Sequence, residues 1–297
     1  MMRIRIRLIL LAALLLLAVV PETAFSAAPA RAEDPAAPAK MPSKLERQVA
    51  DWVGALSKQK PFAAWHGADP QIEALGPGTH SWLVLFTKEG KNIGYMVVNA
   101  ALDGTFKLGE YGLGPYPLFS YELLKQSLEN GGLLTSDLPM PAAVRKIYVH
   151  PFAAAWEVTI GGDTYWLDAK TAELLPLDEG NFPKLFPTEY KALATIADAD
   201  KISRAKLNET FDVYERIPWL MQETPFPAKE VSKLQARLDQ RKHLRYVTEP
   251  LGNTMLYALS VIGYQRWASG RVDVALDMHG ERFIPLGTLL QDGLFYR

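Results

Sequence analysis

The sequence predicts an α+β protein in which a helix followed by three antiparallel strands occurs twice. Three observations lead to this fold class. An amphipathic helical pattern begins at Ser43, short segments rich in β-branched and aromatic residues follow it, and the same order of elements recurs between 118 and 169. Charged, helix-favouring sequence comes next, and a β-rich piece ends the chain. We therefore expect tandem units that each lay one helix on an antiparallel sheet, or one larger sheet built from both, and then a helical connector and a C-terminal β-rich module.

The first predicted helix has a clear start signal. Ser43 stands as N-cap and Glu46 follows three residues later, which is a capping box that satisfies two backbone donors reciprocally. Apolar residues then recur with helical spacing, so one face of this helix is expected to pack on a core. These residues are Leu45, Val49, Trp52, Val53 and Leu56.

Strands are predicted after each helix. The second helix is expected at 118–130, with Ser120 as its N-cap and Gly131 or Gly132 at its C-terminal end. Turn sequences such as "LDG" and "GGD" separate the strand segments. The predicted strands are 81–87, 93–99 and 105–112 in the first unit, and 146–150, 154–160 and 164–169 in the second.

The N-terminus has the three-part layout of a secretory signal: arginines, an apolar run and small residues. The apolar run from Leu8 to Val20 is 13 residues long, shorter than the roughly 20 that a membrane-crossing helix needs. We expect cleavage after Ala32, with an earlier option around 24–26 and retention as an anchor as the alternative. The protein is accordingly expected in the medium or the cell envelope, with membrane contact only if the segment is retained.

Composition sets the boundaries of the remaining segments. The Ala- and Pro-rich stretch after the signal cannot bury enough apolar surface to order itself and is interpreted as a linker. The predicted organisation is a signal peptide at 1–32, a linker at 33–42, a first α+β unit at 43–135, a second β unit at 136–186 whose helix precedes it, a helical connector at 187–245 and a β-rich module at 246–297.

Charge and cysteine content exclude several functions. The chain has no cysteine, which excludes disulfides, thiolate zinc sites and thiol nucleophiles. Loss of the signal removes four arginines and one glutamate and changes the net charge from −1 to −4. Nucleic acid is therefore not an expected partner.

Two segments resemble families of secreted bacterial modules. The segment at 154–177 is similar to PepSY-type repeats, in which a strand ends in an aromatic residue and an Asp-Ala-x-Thr-Gly-Glu-like turn follows. Here the turn runs from Asp168 to Glu173, and Ala172 stands where the usual glycine would adopt a left-handed conformation. The segment at 92–114 resembles the propeptide of streptopain-type peptidases. Both families imply cystatin-like α+β folds and a role in binding, inhibiting or assisting the folding of a peptidase.

Function is predicted from this resemblance and from the lack of a catalytic motif. The leading hypothesis is an exported, non-catalytic binding protein whose partner is a protein, with a peptidase as the partner that the resemblance implies. One alternative is a hydrolase of cell-wall or sugar polymers that uses dispersed carboxylates. Another is a structural envelope protein without a small ligand.

The stretch "KLGEYGLGPYPLFS" at 107–120 looks most like a site. Its glycines stand in the reverse of the dinucleotide-binding order, and Pro115 and Pro117 remove backbone donors that a phosphate would need. It is therefore interpreted as a rigid connector from strand to helix. Four aromatic residues in and beyond it are predicted to form an exposed binding surface: Tyr111, Tyr116, Tyr165 and Trp166.

No cofactor and no metal site is predicted. None of the five histidines belongs to a helical zinc-binding pair. A calcium-loop pattern at 198–209 has acids at loop positions 1, 3 and 12, but Ile202 and Ser203 stand where an oxygen ligand and the turn glycine belong. This segment is instead expected to be a solvated, charged stretch between helices.

Overall fold

Helix α1 begins where its capping box predicts. The helix spans Lys44–Leu56, the Ser43 side chain accepts a hydrogen bond from the Glu46 backbone, and the Glu46 side chain accepts one from the Ser43 backbone. Trp52 and Leu56 on its apolar face are buried. The computed structural model describes residues 43–76, 80–135, 140–141, 143–182, 201–218, 221–252 and 254–297.

A large antiparallel sheet forms the centre of the fold. Its order is β1-β2-β3-β4-β12-β11-β10-β9-β13, and β8 also pairs with β10. The strands of this sheet are β1 (Asp69–Ala74), β2 (Ser81–Lys88), β3 (Lys91–Ala100), β4 (Phe106–Leu113), β8 (Ile202–Leu207), β9 (Arg245–Thr248), β10 (Tyr257–Trp267), β11 (Val272–Asp277), β12 (Glu281–Pro285) and β13 (Gly293–Tyr296).

A second, smaller sheet follows helix α2. Its strands β5, β6 and β7 form an antiparallel sheet, so the described strands lie in two sheets. The predicted α+β class and the predicted helices and strands of the first half are confirmed. The elements are α2 (Tyr121–Asn130), β5 (Val144–His150), β6 (Ala153–Ile160) and β7 (Asp163–Asp168), together with a 3-10 helix at Lys60–Trp65.

Strands β2 and β3 are buried on both faces. Alternate side chains such as Val84 and Met96 pack with the apolar face of α1. Their neighbours, such as Leu83 and Tyr95, pack with α2 and the small sheet. Successive strand residues point to opposite faces, so both faces of these strands carry apolar side chains, and their sequences read as continuous apolar runs.

Two glycines near the passage from β4 to α2, Gly112 in β4 and Gly114 after it, are required for different structural reasons. A Cβ at Gly112 would lie 2.5 Å from the Tyr95 ring and 2.9 Å from the Glu281 carbonyl, so only glycine lets these strands approach. Gly114 has φ +104, in the left-handed region that disfavours other residues. α2 then starts at Tyr121 after the N-cap Ser120. The stretch is a connector, as its sequence predicts.

The predicted helical connector at 187–245 is partly wrong. Residues Ile202–Leu207 form strand β8, while helix α3 (Val231–Asp239) lies later in the segment. Residues 183–200 lie outside the described part of the chain. In β8, Ile202 and Leu207 pack against the core while Arg204 is exposed. The charges therefore belong to an edge strand, where they hinder pairing with other chains.

The C-terminal strands join the main sheet. β12 pairs with β4 through Arg282↔Gly112 and Phe283↔Tyr111. Helix α4 (Leu286–Asp292) then leads into β13. The described residues, which begin at Ser43, form one compact unit. The predicted signal peptide and linker lie outside the described residues, and none of the described helices is long and apolar enough to cross a membrane.

Candidate functional site

The structure does not bring the four predicted binding residues together on an exposed face. Tyr111 is fully buried and stacks on Phe283, with ring centroids 5.1 Å apart. Trp166 is also buried, and Tyr116 and Tyr165 are half-buried. Tyr165 packs towards the α2 side of the small sheet and Trp166 towards the other side, because strand residues alternate. Tyr111 and Trp166 are therefore core residues, which corrects the prediction of a shared surface.

A buried ion pair links strands β4 and β12, and side chains from β3 and β5 bond to it. Arg282 on β12 makes two hydrogen bonds to the carboxylate of Glu110 on β4, and both residues are at most 1% exposed. The Tyr148 hydroxyl on β5 donates to the same carboxylate at 3.0 Å, and the Tyr95 hydroxyl on β3 donates at 3.2 Å. Burial and the negative charge of Glu110 raise the pKa of both tyrosines well above the usual value. We call these four residues the β4–β12 network.

A second buried network lies around Asp273. Its carboxylate accepts hydrogen bonds from the Arg271 guanidinium at 2.7 Å and from the Trp267 indole at 2.7 Å. The Tyr111 hydroxyl lies 2.9 Å from the same carboxylate and 2.7 Å from the Gln265 side-chain oxygen. Asp273 is fully buried. Both networks are thus paired internally and have no surface at which a substrate could meet them.

The turn after β7 is held by Asp168. One of its carboxylate oxygens accepts the backbone N–H groups of Lys170 and Thr171, each at 2.7 Å, and the other accepts the Tyr257 hydroxyl at 2.9 Å. Ala172 has φ +57, the left-handed conformation that the sequence pattern predicts for this position. The turn is therefore fixed by hydrogen bonds, with some strain at a buried alanine.

Lys170 is a buried lysine whose donors point inward. Its ammonium donates to the backbone carbonyls of Tyr116 at 2.6 Å and His279 at 3.0 Å, and the residue is 1% exposed. Burial and the nearby Arg282 charge lower its pKa to about 8. Because the residue is almost fully buried and its ammonium is bonded to backbone carbonyls, this lysine fastens the connector to the β11–β12 turn.

His150 and Asp292 meet where the small sheet approaches helix α4. The His150 Nδ1 atom lies 3.5 Å from the Asp292 carboxylate and accepts the Phe152 N–H at 3.3 Å. Burial and the Arg282 charge lower the pKa of His150 to about 4, while burial raises the pKa of Asp292 to about 6. At neutral pH the contact therefore places a carboxylate against an uncharged ring nitrogen that already acts as an acceptor.

An open groove lies where strand β10 changes partners. Residues 257–260 of β10 pair with β9, and residues 263–267 pair with β8 on the same edge. Between them, the Asn208 N–H donates to the Ile262 carbonyl at 2.6 Å and the Val261 N–H donates to the Leu244 carbonyl at 2.9 Å. The segment that follows β8 therefore leaves the sheet next to the point where the segment before β9 enters it, and these two segments diverge.

The diverging segments form the walls of this groove, which we call the fork groove. Its volume is about 440 Å³, within the range of ligand sites in proteins. The Phe211 and His243 rings stack at 4.0 Å and nearly parallel, so they join the two walls. The lining residues are Leu207, Asn208, Glu209, Thr210, Phe211, Arg241, Lys242, His243 and Val261.

The fork groove carries charges that are not paired internally. Among the described residues no ion pair involves Arg241, Lys242 or Glu209, and all three are exposed. The lining therefore has one excess positive charge when His243 is neutral. By contrast, Asn208 and Thr210 are held in place: Asn208 donates to the Leu238 carbonyl at 2.8 Å, and the Thr210 hydroxyl bonds to Asp277. The cations are thus available to a ligand on a fixed frame.

Metal chemistry has no candidate in the described part of the chain, which holds no group of three or more histidine, aspartate or glutamate side chains arranged to bind an ion. In the calcium-loop pattern, Asp198 and Asp200 lie outside the described residues. Ile202–Leu207 forms strand β8, and Ile202 stands at the loop position that needs an oxygen ligand.

Sequence reasoning missed the fork groove. Arg241, Lys242 and His243 form a short basic run directly after a predicted surface helix. That run was a usable signal, but Phe211 lies about thirty residues earlier and only strand pairing brings it to His243. No family model matches this chain, and no curated protein matches it.

Proposed function

We propose that this chain is a non-catalytic binding protein that acts outside the cytoplasm and takes a protein as its partner. The observation that carries the proposal is the contrast between the fork groove and the buried networks. The groove presents exposed, unpaired cations beside an aromatic stack. The ionisable groups with the strongest interactions, such as Glu110 and Arg282, are sealed in the interior. This arrangement suits holding a ligand, whereas a catalyst would need its perturbed groups in the cleft.

The groove gives no support to the hydrolase alternative. Acid and base catalysis on a glycosidic bond uses two carboxyl groups roughly 5 to 10 Å apart across a cleft. Among the described residues, Glu209 supplies the only carboxylate that lines the fork groove. A featureless structural protein is also a poorer description, because the groove combines charge, concavity and an aromatic platform.

We further propose that the two helix-and-sheet layers are cystatin-like and PepSY-like modules, and that a peptidase is the first partner to test. The proposal is supported by the order of elements, in which α1 precedes β1 to β4 and α2 precedes β5 to β7. It is also supported by the left-handed Ala172 in the Asp168 turn, where the resembling families carry glycine.

The partner hypothesis is tested by direct binding. The purified protein would be incubated with secreted peptidases of its own organism, and complex formation would be followed by biolayer interferometry in parallel with peptidase activity and refolding yield. We expect a saturable complex with at least one peptidase and a change in its activity or refolding. The heat-denatured peptidases serve as the control. Absence of a complex, of inhibition and of assisted refolding across the set would contradict the proposal.

The location is tested by N-terminal sequencing of the protein recovered from culture medium and envelope fractions. Cleavage after the small residues should place the new N-terminus at Glu33. Recovery of an intact N-terminus in the membrane fraction would instead indicate a retained anchor.

A further inference from the structure

Among the described residues, the fork groove has unpaired backbone groups as well as unpaired side chains. Beyond Asn208, the chain leaves β10, and the backbone N–H groups of Glu209, Thr210 and Phe211 donate to no backbone acceptor among the described residues. On the opposite wall, the Arg241 and Lys242 backbone donors are used by the end of α3, and only their side chains face a ligand freely. One wall therefore offers main-chain hydrogen bonds and the other offers cations.

The chemistry of the lining selects for a particular pair of groups. Guanidinium and ammonium groups bind carboxylates through charge-assisted hydrogen bonds, which are stronger than neutral ones. The stacked Phe211 and His243 rings offer an apolar surface within the same groove, whose lining also includes the buried Val261. A ligand that fits both has a carboxylate next to an apolar or aromatic group.

The openness of the groove and its unpaired backbone favour a peptide over a free small acid. Small-molecule sites usually enclose most of the ligand surface, whereas Glu209, Thr210, Arg241 and Lys242 are exposed on both walls. An extended peptide also carries backbone carbonyls that can accept hydrogen bonds from unpaired N–H groups such as those of 209–211, which a small organic acid lacks.

We propose that the fork groove binds an acidic peptide segment of a partner protein, with a carboxylate on Arg241 and Lys242 and a neighbouring apolar side chain on the Phe211–His243 stack. This inference rests on the proposed binding function and names the chemistry that its partner presents. Glu209 is the repulsive group in this arrangement, because its carboxylate lies in the same lining. Its repulsion of the ligand carboxylate weakens binding, and a neutral residue at this position would remove that repulsion.

The test uses four probes that separate charge, apolar contact and peptide character. They are acetyl-Asp-Phe-amide, acetyl-Asn-Phe-amide, acetyl-Asp-Ala-amide and benzoate, titrated into the full chain by calorimetry at low salt. We expect the first peptide to bind about tenfold more tightly than each of the others, and binding to weaken as salt rises. Equal binding of the Asp and Asn peptides would overturn the proposal. Benzoate binding as tightly as the peptide would also overturn it, in favour of a free organic acid.

Matched variants locate the site. Because Arg241 and Lys242 are exposed, the double variant R241Q/K242Q should fold normally and lose about tenfold or more in affinity for acetyl-Asp-Phe-amide. K229Q removes one positive charge at an exposed position outside the groove lining and should change affinity less than twofold. E209Q should strengthen binding. Unchanged affinity in R241Q/K242Q, or weakened binding in E209Q, would contradict the assignment.

The same variants separate this inference from the broader one. If a peptidase complex forms equally well with R241Q/K242Q while the peptides fail to bind, the fork groove is not the docking site but the binding function stands. If no partner binds the unmodified chain, the proposed function itself fails whatever the peptides do.

Discussion

The β4–β12 network and the fork groove use the same kinds of side chain for opposite purposes. In the network, Arg282 and Glu110 are at most 1% exposed and satisfy each other through two hydrogen bonds. In the groove, Arg241, Lys242 and Glu209 are exposed and take part in no internal ion pair among the described residues. A buried charge must be paired because water no longer solvates it, whereas an exposed charge costs little when it is unpaired. Burial therefore decides which charges hold the fold and which are available to bind.

The largest expected effect comes from breaking the buried pair. E110Q leaves the Arg282 guanidinium buried without a counter-charge, and removing one partner of such a pair typically costs about 3 to 5 kcal/mol. The chemically identical change E209Q in the fork groove should alter the free energy of unfolding by less than about 0.5 kcal/mol. Urea unfolding followed by circular dichroism measures both. Equal stability of the two variants would remove the distinction between network and groove.

A smaller effect is expected at Asp292, which lies between these extremes in burial. Its pKa in the folded protein is about 6, above the ordinary value of 3.8, so the folded state holds the proton more tightly than the unfolded state. The stabilisation that the protonated carboxyl gives the folded state is fully present below about pH 4 and is lost as the pH rises through about 6. D292N keeps the side chain neutral and should raise the free energy of unfolding at pH 7.5 by about 1 to 2 kcal/mol, allowing for partial solvent screening.

The Asp292 prediction is checked by comparing D292N with the unmodified protein across pH. The difference in unfolding free energy should shrink towards zero as the pH falls from 7 to 4. His150, whose pKa is lowered to about 4, destabilises the protein as the pH falls below about 6.5, and its Nδ1 atom lies 3.5 Å from the Asp292 carboxylate. The comparison is therefore repeated with H150Q in both proteins, so that the difference reports Asp292 alone. A difference that stays constant over this range would show that the carboxylate is not titrating between the two states.

The turn at Asp168 provides a gain in stability. A172G relieves the left-handed strain at φ +57, which typically costs about 1 kcal/mol or more for a residue with a Cβ, and part of this gain is offset by the extra freedom of glycine in the unfolded chain. We expect a net increase of about 0.5 kcal/mol in the free energy of unfolding. The change leaves the Asp168 hydrogen bonds to the Lys170 and Thr171 backbone intact. A loss of stability would indicate that the buried methyl group matters more than the strain.

The smallest expected effect is the change in protein stability when the groove cations are replaced. R241Q/K242Q should shift the midpoint of thermal unfolding by less than about 2 °C, because neither side chain has an internal ion-pair partner in the described structure. Differential scanning fluorimetry measures this shift. A large destabilisation would mean that these cations stabilise the fold, and it would place them with the β4–β12 network instead.

Local patterns in the sequence determined the class of the fold and many of its elements. The capping box at Ser43 starts α1, and Ser120 caps α2, because each supplies a hydrogen bond to backbone donors nearby in the chain. The apolar runs of β2 and β3 indicate strands without reference to the rest of the molecule. The prolines of the 107–120 stretch likewise identify it as a connector from the local sequence alone.

Tertiary structure alone decided which polar and aromatic residues are accessible. Tyr111 looks like a surface residue in a glycine-rich stretch, but β12 pairs beside it and Phe283 covers its ring. Strand β8 lies in sequence that favours a helix, and it is an edge strand because β10 offers it a hydrogen-bonding partner. The fork groove exists only because β8 and β9 share one edge of β10. Each of these outcomes depends on contacts between residues distant in sequence, which no local pattern encodes.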